Sequence, residues 1–176
     1  MAYLVVVLAV IARFIPHVPN FSPVFGALLF GGAHLRSRDA FWFPVALLAV
    51  SDIVLTWHIY HMQLTWTQWI VWAAFGAVAL IGRRLRNRVS VGTVLAAALA
   101  GPVAFFLISN FAVWLDWQLY PPTWRGLLAC YTAGVPFFRN SLLGSLLSSG
   151  LLFGAYGLYR QKFPATHPDG YAAHQG

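Results

Sequence analysis

The sequence predicts an all-α integral membrane protein, a six-transmembrane-helix bundle, on three observations. Apolar residues make up 60% of the chain, aromatic residues 16% and charged residues only 9%, which is the balance of a membrane protein. A helix needs about 20 apolar residues to cross roughly 30 Å of hydrocarbon, so the chain has room for around six spans joined by short loops. The arginines cluster between the apolar runs, so the net charge of +7 reads as an orientation signal and not as a nucleic-acid surface. Glutamate is absent, Lys162 is the sole lysine and Cys130 the sole cysteine, which excludes a disulfide framework and a cysteine metal cluster.

The elements follow in order. The first helix, about Ala2 to Ile15, lacks a basic leader and runs into "RFIPHVP" without a small-residue cleavage site, so it reads as a retained helix. Pro16 and Pro19 stop it. The second, about Ser22 to Leu35, is short and glycine-rich, and the third, about Ala40 to Trp57, carries Pro44 in its first turns. The fourth covers about Trp66 to Ile81, and the fifth, about Val89 to Leu115, is the longest, with a kink expected at Pro102. The sixth runs from about Phe137 to Tyr159. Residues 1–162 thus form one membrane domain. Residues 163–176, rich in Pro, Gly, His and Ala and without apolar periodicity, read as a disordered tail.

Six spans put "HLRSRD", "RRLRNR" and "RQK" on one side, which the positive-inside rule makes cytoplasmic. Both termini are then cytoplasmic, in the inner membrane of a bacterium. The opposite side receives "FIPHVPNFSP", "WHIYHMQLTW" and "DWQLYPPTWRGLLACYTAGVP", which together hold one arginine and many Trp, Tyr, His and Asn. Interfacial belts collect Trp and Tyr whatever the function, so belt and pocket both stay open for these residues.

Helical spacing sorts the polar residues. At about 100° per residue, Asn140, Ser141, Gly144, Ser145, Ser148 and Ser149 share one half of the sixth helix, and Leu142, Leu143, Leu146 and Leu147 the other. Small and hydroxyl residues mark the face on which membrane helices pack, so Asn140 points inward. Arg139 projects with the leucines, near the start of the helix, where it either snorkels to phosphates or makes an ion pair or ligand contact. In the fifth helix Gly92, Ala96, Ala100, Val103, Phe106, Asn110 and Trp114 form a stripe, small at the cytoplasmic end and large or polar at the outer end, with Leu99 the exception. That pattern predicts tight packing below and a cavity above, or a simple interhelical hydrogen bond from Asn110. Asp52, near the outer end of the third helix, is a functional candidate as an intramembrane acid, or else the ion-pair partner of Arg13. His58 and His61, at i and i+3 if helical, would suit a metal, haem or cobalt centre. The serines lack the motif of a rhomboid-like protease, and no ATPase motif is present.

The segments "PNFSPVFGALLFGGA", "SDIVLTWH", "SNFAVWL", "YPPTWRGLLACY" and "PFFRNSLLG" resemble an uncharacterised bacterial family of membrane transport proteins, over about Ile11 to Gly154. The short spans, the glycine-rich second helix and the acid ending the third are similar to the S component of energy-coupling factor vitamin transporters. That resemblance implies an S-component-like six-helix bundle with an outward pocket built from the first, third and fifth loops. It implies a bound vitamin, with cobalamin one candidate, no cofactor, and docking on a partner module with ATPases. The Ala-x-x-x-Ala docking motif is not evident in the first helix, where Ala9 and Ala12 are three apart. The expected function is therefore a substrate-binding component for small-molecule uptake rather than an enzyme, its site formed by Asn20, Asp52, Trp57, His58, Asn110, Trp114, Asn140 and Arg139. The competing expectation is a non-transporting accessory subunit of a larger membrane complex.

Overall fold

A computed structural model describes residues 2–14, 21, 23–59, 61, 63, 65–116 and 119–163; the tail predicted beyond Phe163 lies outside them. All regular structure among these residues is helical. It comprises α1 (Ala2–Ile11, extended by a 3-10 turn at Ala12–Phe14), α2 (Val24–His34), α3 (Asp39–Val54, extended by a π turn at Leu55–Ile59), α4 (Thr67–Arg84), α5 (Val91–Leu115) and α6 (Trp124–Lys162).

α2 is the hub of the bundle, packed against α1, α3, α4, α5 and α6, with every residue from Val24 to Ala33 buried. Its glycines make this possible. A Cβ on Gly32 would lie 2.7 Å from the Ala79 carbonyl oxygen, and one on Gly82 would lie 2.7 Å from the Leu29 carbonyl oxygen. α2 and α4 therefore touch backbone to backbone, as small residues allow where helices have no hydrophobic reason to prefer one another over lipid. Leu28, Leu29, Val78 and Ala98 are buried in the core around this contact. Neighbours in sequence run antiparallel: Ser145 of α6 donates to the Ala98 carbonyl of α5, and Val78 of α4 faces Gly101 of α5. The arginine-rich turns thus gather at one end.

Three helical stretches are long and apolar enough to cross a membrane, Asp39–Ile59, Val91–Leu115 and Trp124–Lys162. α4 has 18 residues, and α1 and α2 are shorter apolar helices.

The largest departure from expectation is α6. It begins at Trp124, not near Phe137, and its 39 residues reach about 58 Å at 1.5 Å each, so it and not α5 is the longest helix. Thr123 caps it, its side chain accepting from the Gly126 amide at 3.1 Å, just after Pro121 and Pro122 have ended the preceding turn. A helix start near Phe137 is what Pro136 would give as a breaker, because the residue before a proline favours extended backbone. Inside a long membrane helix a proline removes one amide and the helix continues. Two consequences follow. The long aromatic outer loop shrinks to the short turn before Thr123, and Arg139 lies about four turns inside α6 instead of in its first turn.

The serine face of α6 forms, with Ser141, Gly144, Ser145, Ser148 and Ser149 buried; of the four leucines expected opposite, Leu143 and Leu147 are exposed, while Leu142 and Leu146 are half-buried, Leu146 against the core. The stripe expected in α5 does not. Its packed face is Ala97, Ala98, Gly101 and Pro102, while Ala96, Ala100 and Val103 are exposed and Gly92 meets nothing within 4 Å. Small residues occur on both faces of that helix, so size alone did not distinguish them; α4 and α6 occupy the other side.

Candidate functional site

The polar groups of the bundle collect at the arginine-poor end, around the last turn of α3. Ser51 and Asp52 are both buried there. A carboxylate in an apolar bundle is stable only when its charge is matched and its lone pairs filled, and Asp52 meets both conditions. Arg13, at the end of α1, sits 2.5 Å from Asp52 Oδ1 and donates a second hydrogen bond to Ser51 Oγ at 2.7 Å. From α4, Gln68 Nε2 and Trp72 Nε1 donate to Asp52 Oδ2 at 3.0 and 3.1 Å. Ser51 completes the chain by donating to the Leu48 carbonyl at 2.8 Å. Three helices are therefore tied together by one acid, and the ion pair of Arg13 and Asp52 expected from the sequence is present.

Gln68 and Trp72 were missed in the sequence. Their signal is legible in retrospect: they stand four residues apart on one face of α4, at the depth where α4 leaves the turn that follows α3.

The second polar feature is a cleft of about 160 Å³ between α5 and α6, lined by Phe105, Ser109, Asn110, Gly134, Phe138 and Ser141 among others. The close approach there depends on Gly134, since a Cβ would meet Asn110 Oδ1 at 2.5 Å. Asn110 Nδ2 donates back to the Phe106 carbonyl at 2.9 Å, while Cys130 Sγ and Tyr131 Oη of α6 donate to the carbonyls of Asn110 and Leu107 at 3.4 and 2.7 Å. The cleft is about half the smallest volume typical of a small-molecule pocket, roughly 300 Å³.

Asn110, Asn140, Trp57, His58 and Trp114 were expected to line one cavity, and the cleft does not bring them together. Only Asn110 lines the cleft. Trp57 and His58 are exposed on the π turn that ends α3, and α3 packs on α1, α2 and α4, so α4 stands between them and α5. Trp114 Nε1 donates to the Pro121 carbonyl at 3.0 Å, closing the turn into α6. Asn140 is half-buried and Arg139 exposed on α6, and Asn20 lies outside the described residues. The two-histidine reading loses its geometry as well. Helical structure stops at Ile59, and His61 has φ 51°, in the left-handed region where a chain reverses, so the two rings do not share a helix face. No group of three or more His, Cys, Asp or Glu suited to a metal occurs among the described residues.

These features define a class, an all-helical membrane-type protein with three helices long and apolar enough to cross a bilayer and with Asp52 turned inward. More narrowly, the chain belongs to a family of unknown function, DUF6580, whose pattern it matches over residues 1–166. Neither the curated proteins nor the solved structures yield a match.

Proposed function

We propose that the protein is a membrane-embedded binding component that takes up a small molecule, a vitamin or related cofactor precursor, at the arginine-poor end of a six-span bundle. The observation that carries this reading is the Asp52 cluster. Ionisable groups inside a membrane helix are costly and mark ligand or ion paths by default, and here a carboxylate on α3 is held by a guanidinium at the end of α1 and two neutral donors from α4. With side-chain exposures of 15% for Arg13 and 10% for Asp52, both remain within reach of a ligand entering from that end. A ligand carboxylate would compete for Arg13, and a ligand amide or ammonium for Asp52. By the positive-inside rule this end faces outward from a bacterial inner membrane, with both termini cytoplasmic. Energy for net transport would come from a partner carrying ATPases.

The test is a thermal-shift screen of the purified chain against vitamins. A ligand at 100 times its dissociation constant stabilises by about 2.7 kcal/mol, and Asp52→Asn should abolish that gain. If no vitamin shifts the unfolding midpoint and mass spectrometry finds no small molecule carried through purification, the binding reading fails.

One observation favours the accessory-subunit alternative. Gly150, Gly154 and Gly157 lie on one face of α6, and a Cβ at each would meet nothing within 4 Å, so a G-x-x-x-G surface of the kind that packs membrane helices is left open. Gly154→Leu should leave the vitamin response intact under the first reading and break a stoichiometric complex under the second.

A further inference from the structure

At the opposite end of the bundle lies a much larger cavity, of about 650 Å³. Its walls include His34 from the end of α2, Arg36 just after it, Arg86 and Asn87 after α4, and Tyr156 and Arg160 from the last turns of α6. We propose that this cavity binds a phosphate-bearing anion. The proposal is independent of the reading given for the arginine-poor end.

Three guanidiniums converge on the space, and among the described residues no carboxylate lines it. The ion pair of Arg13 with Asp52 lies at the other end. The blander account is that the arginines offset the C-termini of α2, α4 and α6, which all finish here. Each helix end carries roughly half a negative charge, so three of them balance about half of what three guanidiniums supply. Asp39, which opens α3 beside Arg36, adds one negative charge, and the N-termini of α3 and α5 return about as much positive charge, so a net positive field remains, matched by the one to two charges of a phosphate group.

The geometry is suited to that ion. Arg86 donates to the Leu35 carbonyl, which fixes its guanidinium at the wall and leaves most of its five donors open. Arg36 and Arg160 are exposed and free to close on an anion from two other elements. Planar guanidiniums engage phosphate oxygens in pairs, as ammonium groups do not. Phe153 and Tyr156 add an aromatic wall, and the volume falls within the roughly 300–1,000 Å³ of small-molecule sites. Sequence reading took these arginines as orientation signals alone; only the fold shows that three of them share a cavity while Arg83 and Arg84 do not line it. The phosphate can arrive as the headgroup of an anionic lipid, since basic pockets between helices suit such headgroups, or on a soluble compound.

The experiment uses the full chain in nanodiscs. One arm compares phosphatidylcholine alone with phosphatidylcholine containing phosphatidylglycerol; the other adds inorganic pyrophosphate to neutral nanodiscs, against sodium chloride of equal ionic strength. Thermal midpoint is read in both arms, and retained lipid by native mass spectrometry in the first. Two double variants of equal charge are compared, R36Q/R160Q in the cavity and R83Q/R84Q outside it, all four residues being exposed. Wild type and R83Q/R84Q should be stabilised in at least one arm, while R36Q/R160Q binds about tenfold more weakly or worse, as expected on losing two charge-assisted contacts. Response to phosphatidylglycerol alone identifies a lipid headgroup, and response to pyrophosphate identifies a soluble phosphate source. No response in either arm, or an equal loss in the two variants, overturns the proposal.

Discussion

Asp52→Asn should destabilise the protein more than Arg13→Gln, and the two losses should not add. Asp52 is buried, and its carboxylate accepts from Arg13, Gln68 and Trp72. Asparagine keeps one acceptor but removes the negative charge that matches Arg13, and its amide N–H must face donors, either the Arg13 guanidinium or Gln68 and Trp72. Removing one member of a buried pair costs roughly 3–5 kcal/mol. Arg13→Gln leaves the carboxylate two neutral donors, so its loss should be nearer the 1.5–3 kcal/mol of one charge-assisted hydrogen bond. The double variant should then fall short of the sum by about 1–3 kcal/mol. Equilibrium unfolding of the four proteins in mixed micelles measures the cycle. Additivity within about 0.5 kcal/mol would refute the coupling and leave Asp52 held by α4 alone. An Arg13→Leu/Asp52→Leu pair separates stability from use, because apolar replacements for a buried ion pair are often neutral. If the cluster serves a ligand, that variant folds and loses the vitamin response.

Three further outcomes follow from the packing. Gly32→Ala and Gly82→Ala each drive a methyl to 2.7 Å from backbone across the α2–α4 contact and should cost about 1–3 kcal/mol, whereas Gly154→Ala, with nothing within 4 Å, should be neutral or gain up to about 1 kcal/mol in helix propensity; the same unfolding assay separates them. Ser145→Ala removes the 2.8 Å bond to Ala98 and should lose about 0.6 kcal/mol, the average for such bonds between membrane helices. Ser149→Ala should lose nothing, since its buried hydroxyl has no hydrogen-bond partner among the described residues. For topology, a thiol at Asn87 in a Cys130→Ser background should react with a membrane-impermeant reagent from inside only, and labelling from outside would reverse the orientation.

The parts of the fold legible in the sequence are those where one physical rule had no competitor. Glycine in α2 and serine in α6 have no purpose on a lipid face, so the buried sides of both helices could be read directly. Asp52 and Arg13 lie on separate apolar helices with few other charges nearby, so pairing followed from the expense of a lone buried charge. Illegible parts were those where two rules compete. Pro136 is a breaker in water and a passenger in a long membrane helix, and the choice between those readings moved the start of α6 back to Trp124. The α5 stripe failed because alanine and glycine occur on both sides of that helix. Trp57, His58 and Asn110 were expected together because they share a depth. Depth carries no information about which helix stands between, and the intervening α4 is a property of the packing order.

The length of α6 decides how the two ends of the molecule differ. Pairing of Gly134 with Asn110 and of Ser145 with Ala98 sets its register on α5, so α6 passes the start of α5 with nearly three turns still to run. Those turns carry Phe153 and Tyr156, which pack on Phe30 and His34 of α2, and then Arg160. A sixth helix ending level with α5 would leave Arg36 and Arg86 on an open surface, where exposed charges are screened and bind weakly. The overhang instead supplies the third wall, and with it a bounded space in which the same arginines act together. At the other end, α6 and α5 are sealed against each other by Tyr131, Cys130 and Gly134, and the cleft there is small. The single acid buried at that end is held by α1, α3 and α4, on the side of the bundle away from α6. The fold thus separates a narrow, acid-centred polar cluster from a wide, basic cavity by nearly the full height of the bundle, which is why the two proposals can be tested, and can fail, independently.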